Sequence, residues 1–271
     1  YFYDLNTKLN YKLNDKNKLF LSGYFGRDVF DLNGVFVNTY GNSFGNLRWN
    51  HLFSDKLFSN LSLIYSDYYY GLKVTYFGLT WDSSINNFNL KYDFKHYLSN
   101  STKLTYGLNA QYYLFNPGKI EPIDDESEII ATQLDKKFAF EPSFYFDVDQ
   151  KISDKLSLNY GLRYSLFYRL GEENKAIYAN NQAVIFNEAF KIYEKATPIG
   201  TKKYGTNDVI NKFDNLEPRL AISYAINDQQ SVKASYNRMT QYLHLITNTS
   251  SPTPLDIWSP SDTFFKPQLL D

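Results

Sequence analysis

The sequence of 271 residues contains no cysteine, one methionine and only three histidines. A disulfide framework and a cysteine-based zinc site are therefore excluded, because both need thiols at defined spacings. The net charge of −1 argues against a nucleic-acid partner, since binding to nucleic acid calls for a basic patch. Long apolar runs are also missing, and no stretch approaches the roughly 18 residues that indicate a transmembrane helix. A membrane-spanning β-barrel is still possible, because a barrel strand needs an apolar side chain only at every second position.

Aromatic residues, by contrast, are abundant, with 25 tyrosines and 22 phenylalanines, and a short polar turn recurs five times between them. The turns are Asn14-Asp15-Lys16-Asn17, Ser54-Asp55-Lys56, Ser99-Asn100-Ser101-Thr102, Ser153-Asp154-Lys155 and Asn227-Asp228-Gln229-Gln230. Asn, Asp and Ser favour turns because their side chains form hydrogen bonds with the nearby backbone. The repeat predicts five hairpins, each closed by one of these turns.

The segment after the fourth turn alternates between apolar and polar residues with a period of two, which a strand produces and a helix does not. The apolar positions include Leu158, Tyr160, Leu162 and Tyr164, and the polar ones include Asn159, Arg163 and Ser165. The alternation extends over roughly thirteen residues, whereas a strand of a globular sheet typically has about 5–6. A membrane-spanning strand needs roughly 9–11. We therefore expect the apolar positions to face lipid and the polar ones to face a lumen.

Extending each turn in both directions predicts ten strands and long excursions between the hairpins. The predicted strands are 2–13, 18–28, 43–53, 57–68, 85–98, 103–115, 138–152, 155–168, 215–227 and 230–241, and the excursions lie near 29–42, 69–84, 116–137, 169–214 and 242–266. Short turns on one side and long loops on the other are typical of outer-membrane barrels. The predicted fold class is an all-β, antiparallel up-and-down transmembrane β-barrel, of which this chain supplies about ten strands. A soluble β-sandwich is the alternative, but its strands would be shorter.

Within the longest excursion, residues 182–196 predict a short helix. Val184, Ile185, Phe190 and Tyr193 fall at roughly helical spacing, and Pro198 would end the helix.

Charged residues recur on the polar face of the predicted strands. The positions are Lys91, Asp93, Lys95, Glu141, Asp147, Arg163, Glu217, Arg219 and Lys233. Charges are not left unpaired in a low-dielectric wall, so these side chains require a water-filled lumen or a polar body that fills it. Both alternatives imply a wide barrel, because a small one packs its interior with its own side chains.

No group of residues predicts catalysis, a cofactor or a metal site. His51 and His96 lie close to short turns in the lipid-facing register, which places them at the membrane–water interface, where amphipathic rings are favoured. His244 has no obvious partner. The acidic run 124–128 lacks the spaced ligands and the turn glycine of a calcium loop. The sequence contains no phosphate loop and no nucleophile elbow.

One stretch is similar to TonB-dependent outer-membrane receptors. It runs Asn215-Leu216-Glu217-Pro218-Arg219-Leu220-Ala221-Ile222-Ser223-Tyr224, then Ser231-Val232-Lys233-Ala234-Ser235-Tyr236-Asn237-Arg238, and continues with Gln241-Tyr242-Leu243-His244-Leu245, Ser251-Pro252-Thr253-Pro254-Leu255-Asp256-Ile257-Trp258 and Lys266-Pro267-Gln268. The likeness is specific over 215–268 and diffuse over the rest of the chain.

The resemblance implies a 22-stranded barrel in the outer membrane, occluded by an N-terminal plug, that imports a nutrient with energy from an inner-membrane complex. The chain opens inside a strand and closes without a natural stop, so we expect it to be the middle part of such a barrel, without the plug. The implied partners are outer-membrane lipid, the plug and remaining strands, the TonB energising complex and a surface substrate-binding lipoprotein. A siderophore, an oligosaccharide or a peptide would be the nutrient. The aromatic candidates for contact with it are Trp81, Trp258, Tyr68, Tyr69 and Tyr70.

Two other functions stay open at this stage. A complete ten-stranded outer-membrane barrel could be a protease or a lipase, but this requires an Asp/His or Ser/His cluster at the rim, where only His244 is available. A passive porin or an adhesion barrel is the other alternative.

Overall fold

A computed structural model describes residues 1–246 and 257–271. The predicted excursion 242–266 is therefore described in part, and residues 251–256 of the receptor-like stretch lie outside the described residues.

Most of the described chain is β-structure. The strands are β1 (Phe2–Asn14), β2 (Asn17–Leu32), β3 (Phe36–Ser54), β4 (Leu57–Val74), β5 (Leu79–Tyr97), β6 (Thr102–Pro122), β7 (Thr132–Gln133), β8 (Lys137–Lys151), β9 (Leu156–Leu170), β10 (Glu173–Ile177), β11 (Val184–Asn187), β12 (Ile192–Lys195), β13 (Gly200–Tyr204), β14 (Val209–Asn227), β15 (Gln230–Asn237), β16 (Met239–Gln241), β17 (Leu243–Ile246), β18 (Ile257–Pro260) and β19 (Gln268–Leu270). Two single 3-10 turns lie at Thr75–Phe77 and Ala179–Asn181. Within the described residues, no helix has the length and apolar character that crossing a membrane requires.

The main sheet is antiparallel, and its strands follow the order β1-β2-β3-β4-β5-β6-β8-β9-β14-β15, with β7 paired to β6. This order confirms the predicted up-and-down arrangement, and the five polar turns close the five predicted hairpins. The sheet is a part of a barrel and does not close on itself, because β1 and β15 are its two ends.

Strands β2 to β6, β9 and β14 are longer than predicted at the ends that are remote from the polar turns, whereas β15 is shorter than the predicted strand 230–241 and ends at Asn237. Two of the expected excursions, 29–42 and 69–84, are instead the continuing ends of β2 to β5. The β2–β3 turn is short because Asn33 and Gly34 adopt positive φ angles of 52° and 72°, which Asn and Gly tolerate best. The carboxylate of Asp31 accepts the Gly34 amide at 2.7 Å and closes this turn.

The predicted helix over 182–196 is wrong, since this segment forms a hairpin of β11 and β12. Asn187 explains the outcome, because its side-chain oxygen accepts the backbone amides of Ala189 and Phe190 and so builds a tight turn. The β-branched and aromatic residues on either side then pair across the hairpin, as such residues favour.

The sheet has two chemically distinct faces, which follow from the register of its strands. The outer face carries Leu158, Leu162, Leu220 and Ile222, and the inner face carries Asn159, Arg163, Arg219 and Ser223. A belt of rings lies on the outer face just above the polar turns, formed by Trp49, His51, Phe53, Phe94 and Tyr106. Aromatic girdles of this kind mark the membrane–water interface in barrels.

A buried core forms on the inner face, towards the long-loop ends of the strands. Its members are Tyr113, Phe115, Ala139, Phe167 and Tyr242, with Ile85, Phe213, Leu243 and Trp258 packed against them. Tyr242, Leu243 and Trp258 do not belong to the main sheet. The hairpin of β17 and β18 is therefore folded inwards onto the wall, and we call residues 242–246 and 257–261 the inner hairpin.

Candidate functional site

The inner wall carries a buried ionic cluster in which one arginine lies between two carboxylates. Arg163 on β9 lies 3.5 Å from a carboxylate oxygen of Glu141 on β8 and 3.7 Å from one of Glu217 on β14. The antiparallel register brings the three residues onto neighbouring strands with side chains on the same face. Tyr113 donates a hydrogen bond to Glu141, and Ser165 donates one to Glu217. The cluster is thus part of a polar network that extends across four strands.

Four other predicted inward charges also pair on this face. Arg219 lies 3.5 Å from Asp147, and Lys91 lies 3.3 Å from Asp93, which also accepts a hydrogen bond from Tyr145. The register places all nine predicted inward charges on the inner face. Seven of them, all but Lys95 and Lys233, form ion pairs within the part of the chain that the structure describes.

Tyr242 attaches the inner hairpin to the wall above this cluster. Its ring stacks on Phe167 with a centroid distance of 4.8 Å and an interplanar angle of 4°. Its hydroxyl lies 2.8 Å from that of Ser165 and accepts the side-chain amide of Asn215 at 2.9 Å. The hairpin is held further along by Lys137, whose ammonium donates to the Ser259 hydroxyl at 3.0 Å.

His244 and Ser261 form a buried pair across the inner hairpin, with 2.9 Å between Nε2 and Oγ. Burial lowers the pKa of His244, although the nearby Asp262 carboxylate opposes this effect. Ser261 is fully buried, and Asp262 accepts the backbone amides of Phe264 and Phe265. The serine is inaccessible to a substrate and the aspartate is engaged in a turn, so the pair is structural. Among the residues that the structure describes, no cluster of acidic or histidine side chains could hold a metal ion.

A cleft of about 280 Å³ lies between the inner hairpin and the long-loop ends of β3 to β5. Its lining is Asn38, Tyr40, Tyr68, Tyr70, Ser83, Leu245 and Trp258. The register places Tyr40, Tyr70 and Ser83 side by side on adjacent strands. Three of the aromatic candidates from the sequence are thus brought together, although Trp258 lies far from the other two in the chain.

The remaining two candidates lie elsewhere. Tyr69 occupies the outer face, because neighbours on a strand point to opposite sides, and its hydroxyl donates to Asp82 at 2.6 Å. Trp81 is only 4% exposed, and its ring fills the space above Gly118, where a Cβ atom would collide with it. Trp81 supports the wall and offers no free face.

Sequence reasoning missed Tyr242 and Ser165, which join the inner hairpin to the ionic cluster. Ser165 was recognised only as a lumen position, and Tyr242 only as part of the receptor-like stretch. Their contact joins residues separated by 77 positions, which no local pattern signals.

Comparisons with known proteins agree with the fold. The family model "Outer membrane beta barrel domain" matches residues 124–263. No curated protein matches the chain in sequence. Solved structures that are similar include the copper transporter OprC, with 10% identity and a TM-score of 0.63 over 89% of this chain and 37% of that one.

Two further similar structures are receptors. One is BauA, the ferric preacinetobactin receptor from Acinetobacter baumannii, with 14% identity and a TM-score of 0.61 over 99% of this chain and 43% of that one. The other is the hemophore receptor HasR of Serratia marcescens, in complex with its hemophore HasA and heme, with 11% identity and a TM-score of 0.62 over 99% and 40%. The chain thus spans about two fifths of the length of these proteins. The resemblance to a receptor barrel is confirmed at the level of the fold, and each of these three relatives is a transporter or a receptor, not an enzyme.

Proposed function

Because the chain belongs to the family of outer membrane beta barrel domains, we propose that it is part of a TonB-dependent transporter for active uptake of a nutrient. Its place is the outer membrane, with the outer face of the sheet against lipid. The main observation in support of this proposal is the inner wall, where the charged cluster around Arg163 and an inward-folded hairpin occupy the space of a lumen. A wall that carries charges on its lumen side needs a water-filled lumen or a polar body beside it, and we propose the polar body.

The proposed polar body is a plug domain of the same polypeptide, enclosed by this sheet and the remaining strands of the barrel. The family resemblance implies about 22 strands, a number within the range of single-chain barrels. The TonB complex would act through that plug. A surface substrate-binding lipoprotein is a further proposed partner at the long-loop side. The nutrient is a siderophore, an oligosaccharide or a peptide.

Uptake assays separate this transporter from a passive porin. We expect the full-length receptor to support uptake of its nutrient only in cells with an active TonB complex, and to show little conductance in planar bilayers. Uptake that persists without the complex, together with a steady open conductance, would establish the porin instead.

Lipid contact of the outer face predicts a strong difference between two neighbouring positions of β14. Leu220 is 42% exposed on the outer face, and Ala221 lines an open concavity of the inner face. Leu220→Arg should lower the unfolding free energy in bilayers by about 2–4 kcal/mol, because lipid solvates the cation poorly. Ala221→Arg is the matched control and should change it by much less. Equal losses at the two positions would contradict the assignment of faces.

The loops near 116–137, 169–214 and 242–266 are proposed to surround the extracellular mouth. The structure allows a clean test, because β10 and β13 pair from Glu173 to Tyr204 and present Ile177 opposite Gly200. We would replace residues 178–199 with an Asn-Gly turn, which suits a two-residue hairpin. We expect weaker uptake with an unchanged amount of inserted receptor. Full uptake by this variant would remove the support for a role of this loop in the mouth.

A further inference from the structure

The inner wall of β3 to β6 differs in character from that of β8, β9 and β14. The charged cluster around Arg163 lies on the second group of strands. The first group carries carboxamides along its inner face, at Asn38, Asn42, Asn46, Asn87, Asn89, Asn109 and Gln111. Its inward charges, Arg48, Lys91, Asp93, Lys95 and Lys103, lie in the half that is nearer the polar turns. The half nearer the long loops therefore presents amides, hydroxyls and rings.

The cleft under the inner hairpin opens at the upper end of this neutral wall. Its lining combines three tyrosines, a tryptophan, a carboxamide and a serine hydroxyl, and among the lining residues that the structure describes none is charged. Asp28, the register partner of Tyr40 on β2, places an acidic side chain next to Tyr40 on the inner face. An anionic ligand, such as a ferric complex carrying carboxylates, would meet no cationic side chain among the described residues that line the cleft.

Below the cleft, amides and rings continue down the wall in register. Tyr68 on β4 lies beside Asn42 on β3. The next inward row across β3, β4 and β5 is Phe44, Ser66 and Asn87, and the row after it is Asn46, Ile64 and Asn89. Four carboxamide oxygens of this wall, in Asn38, Asn46, Asn89 and Asn109, accept no hydrogen bond within the part of the chain that the structure describes.

From this arrangement we infer that the cleft binds a neutral oligosaccharide, and that the amide-lined wall below it contacts the same class of ligand during passage. A pyranose ring has a flat face of C–H groups that packs on an aromatic ring and a rim of hydroxyls that matches amide and hydroxyl partners. Tyrosine and tryptophan supply such flat, rigid contact area with a polar edge. The volume is below the roughly 300–1,000 Å³ of a complete small-molecule site, so the cleft holds one end of a longer chain. The inference rests on the proposed transport function, of which it names the substrate class.

Binding to the purified full-length receptor in detergent tests the site without any energy source. The probes are an array of neutral glucan, mannan, xylan and galactan oligosaccharides, acidic oligogalacturonides, and the ferric complexes of a catecholate and a hydroxamate chelator. We expect binding to at least one neutral oligosaccharide and none to the anionic or ferric probes. Selective binding of an anionic or ferric probe, or no binding to any neutral oligosaccharide, would overturn the inference.

Variants locate the site by titration calorimetry with the strongest neutral binder. Tyr70→Ala and Trp258→Ala should each raise Kd about tenfold or more, as loss of an aromatic anchor does. Tyr69→Ala, on the same strand but the opposite face, is the matched control and should leave Kd within about twofold, the range of a near-neutral contact. Tyr70→Phe and Trp258→Phe preserve the packing and should weaken binding less than the alanine variants. Unchanged Kd in both alanine variants would show that the sugar binds elsewhere.

A charge test separates a neutral ligand from an anionic one at the same site. Asn38→Lys and Asn38→Asp should both weaken binding of the neutral oligosaccharide, because each replaces a carboxamide that lines the cleft. Tighter binding with lysine and weaker binding with aspartate would assign an anionic ligand and refute the inference. Sugar binding without TonB-dependent uptake would leave the inference standing and remove the transport proposal. TonB-dependent uptake by a receptor that binds no neutral sugar would keep the transport proposal and overturn the inference.

Discussion

Replacing Arg163 with alanine is expected to lower the unfolding free energy of the full-length receptor by about 3 kcal/mol, the lower end of the range for breaking a buried charge pair. The distances of 3.5 and 3.7 Å are longer than strong hydrogen bonds, so the loss comes mainly from two carboxylates left without a cation. Glu141 and Glu217 are 11% and 8% exposed, whereas Arg163 is 25% exposed, which is why the lower end applies. Urea unfolding in bilayers measures the loss.

Two variants control this prediction. Arg163→Met combined with Glu141→Gln and Glu217→Gln removes all three charges and should recover most of the stability, because no ion remains buried alone. Arg238→Ala breaks an exposed pair with Asp271 and should change stability by less than about 1 kcal/mol. A triple variant as unstable as Arg163→Ala would indicate that packing, and not charge, is what the arginine supplies.

Tyr242→Ala is expected to release the inner hairpin from the wall. The substitution removes a buried ring stacked on Phe167 together with the hydrogen bonds to Ser165 and Asn215. Loss of a large buried aromatic side chain typically costs about 3–5 kcal/mol. We expect limited proteolysis to cut within 242–261 in this variant, while the main sheet stays intact.

The phenylalanine variant divides the two contributions. Tyr242→Phe keeps the stacking and loses only the hydroxyl contacts, so it should be cleaved more slowly than the alanine variant. If both variants resist the protease as the unchanged receptor does, the hairpin is held by Lys137 and its other contacts, and the role assigned to Tyr242 is incorrect.

The sheet could be predicted from the sequence because its information is local. A period of two between recurrent polar turns determines which side chains share a face, and this identified Arg163, Glu141 and Glu217 as inward residues before their contacts were known. The same rule, applied to Tyr68, Tyr69 and Tyr70, separates the middle residue from its neighbours. All three were nevertheless proposed as contacts, and the structure assigns Tyr69 to the outer face.

The inward fold of the hairpin could not be predicted, since it depends on contacts between distant residues. Tyr242 contacts Phe167 and Ser165 on β9, and Ser165 lies 77 positions before it in the chain. Nothing in the local pattern of 242–246 distinguishes an inward fold from an outward loop. The wrong prediction of a helix has a different cause. At 182–196 the spacing of apolar residues suited a helix, but the turn formed by Asn187 favoured a hairpin.

The most direct test of the central claim is an accessibility scan along β14 in the full-length receptor. This chain contributes no cysteine, so the scan introduces single cysteines at positions 216 to 223 in a full-length receptor from which any other cysteine has been removed. With a fluorophore on each cysteine, we predict that a quencher confined to the lipid acts at Leu216, Leu220 and Ile222. A water-soluble quencher should act at Ala221 and Ser223 instead. Quenching without this alternation, or by the water-soluble reagent on both faces, would contradict the account of this sheet as a membrane-spanning barrel wall.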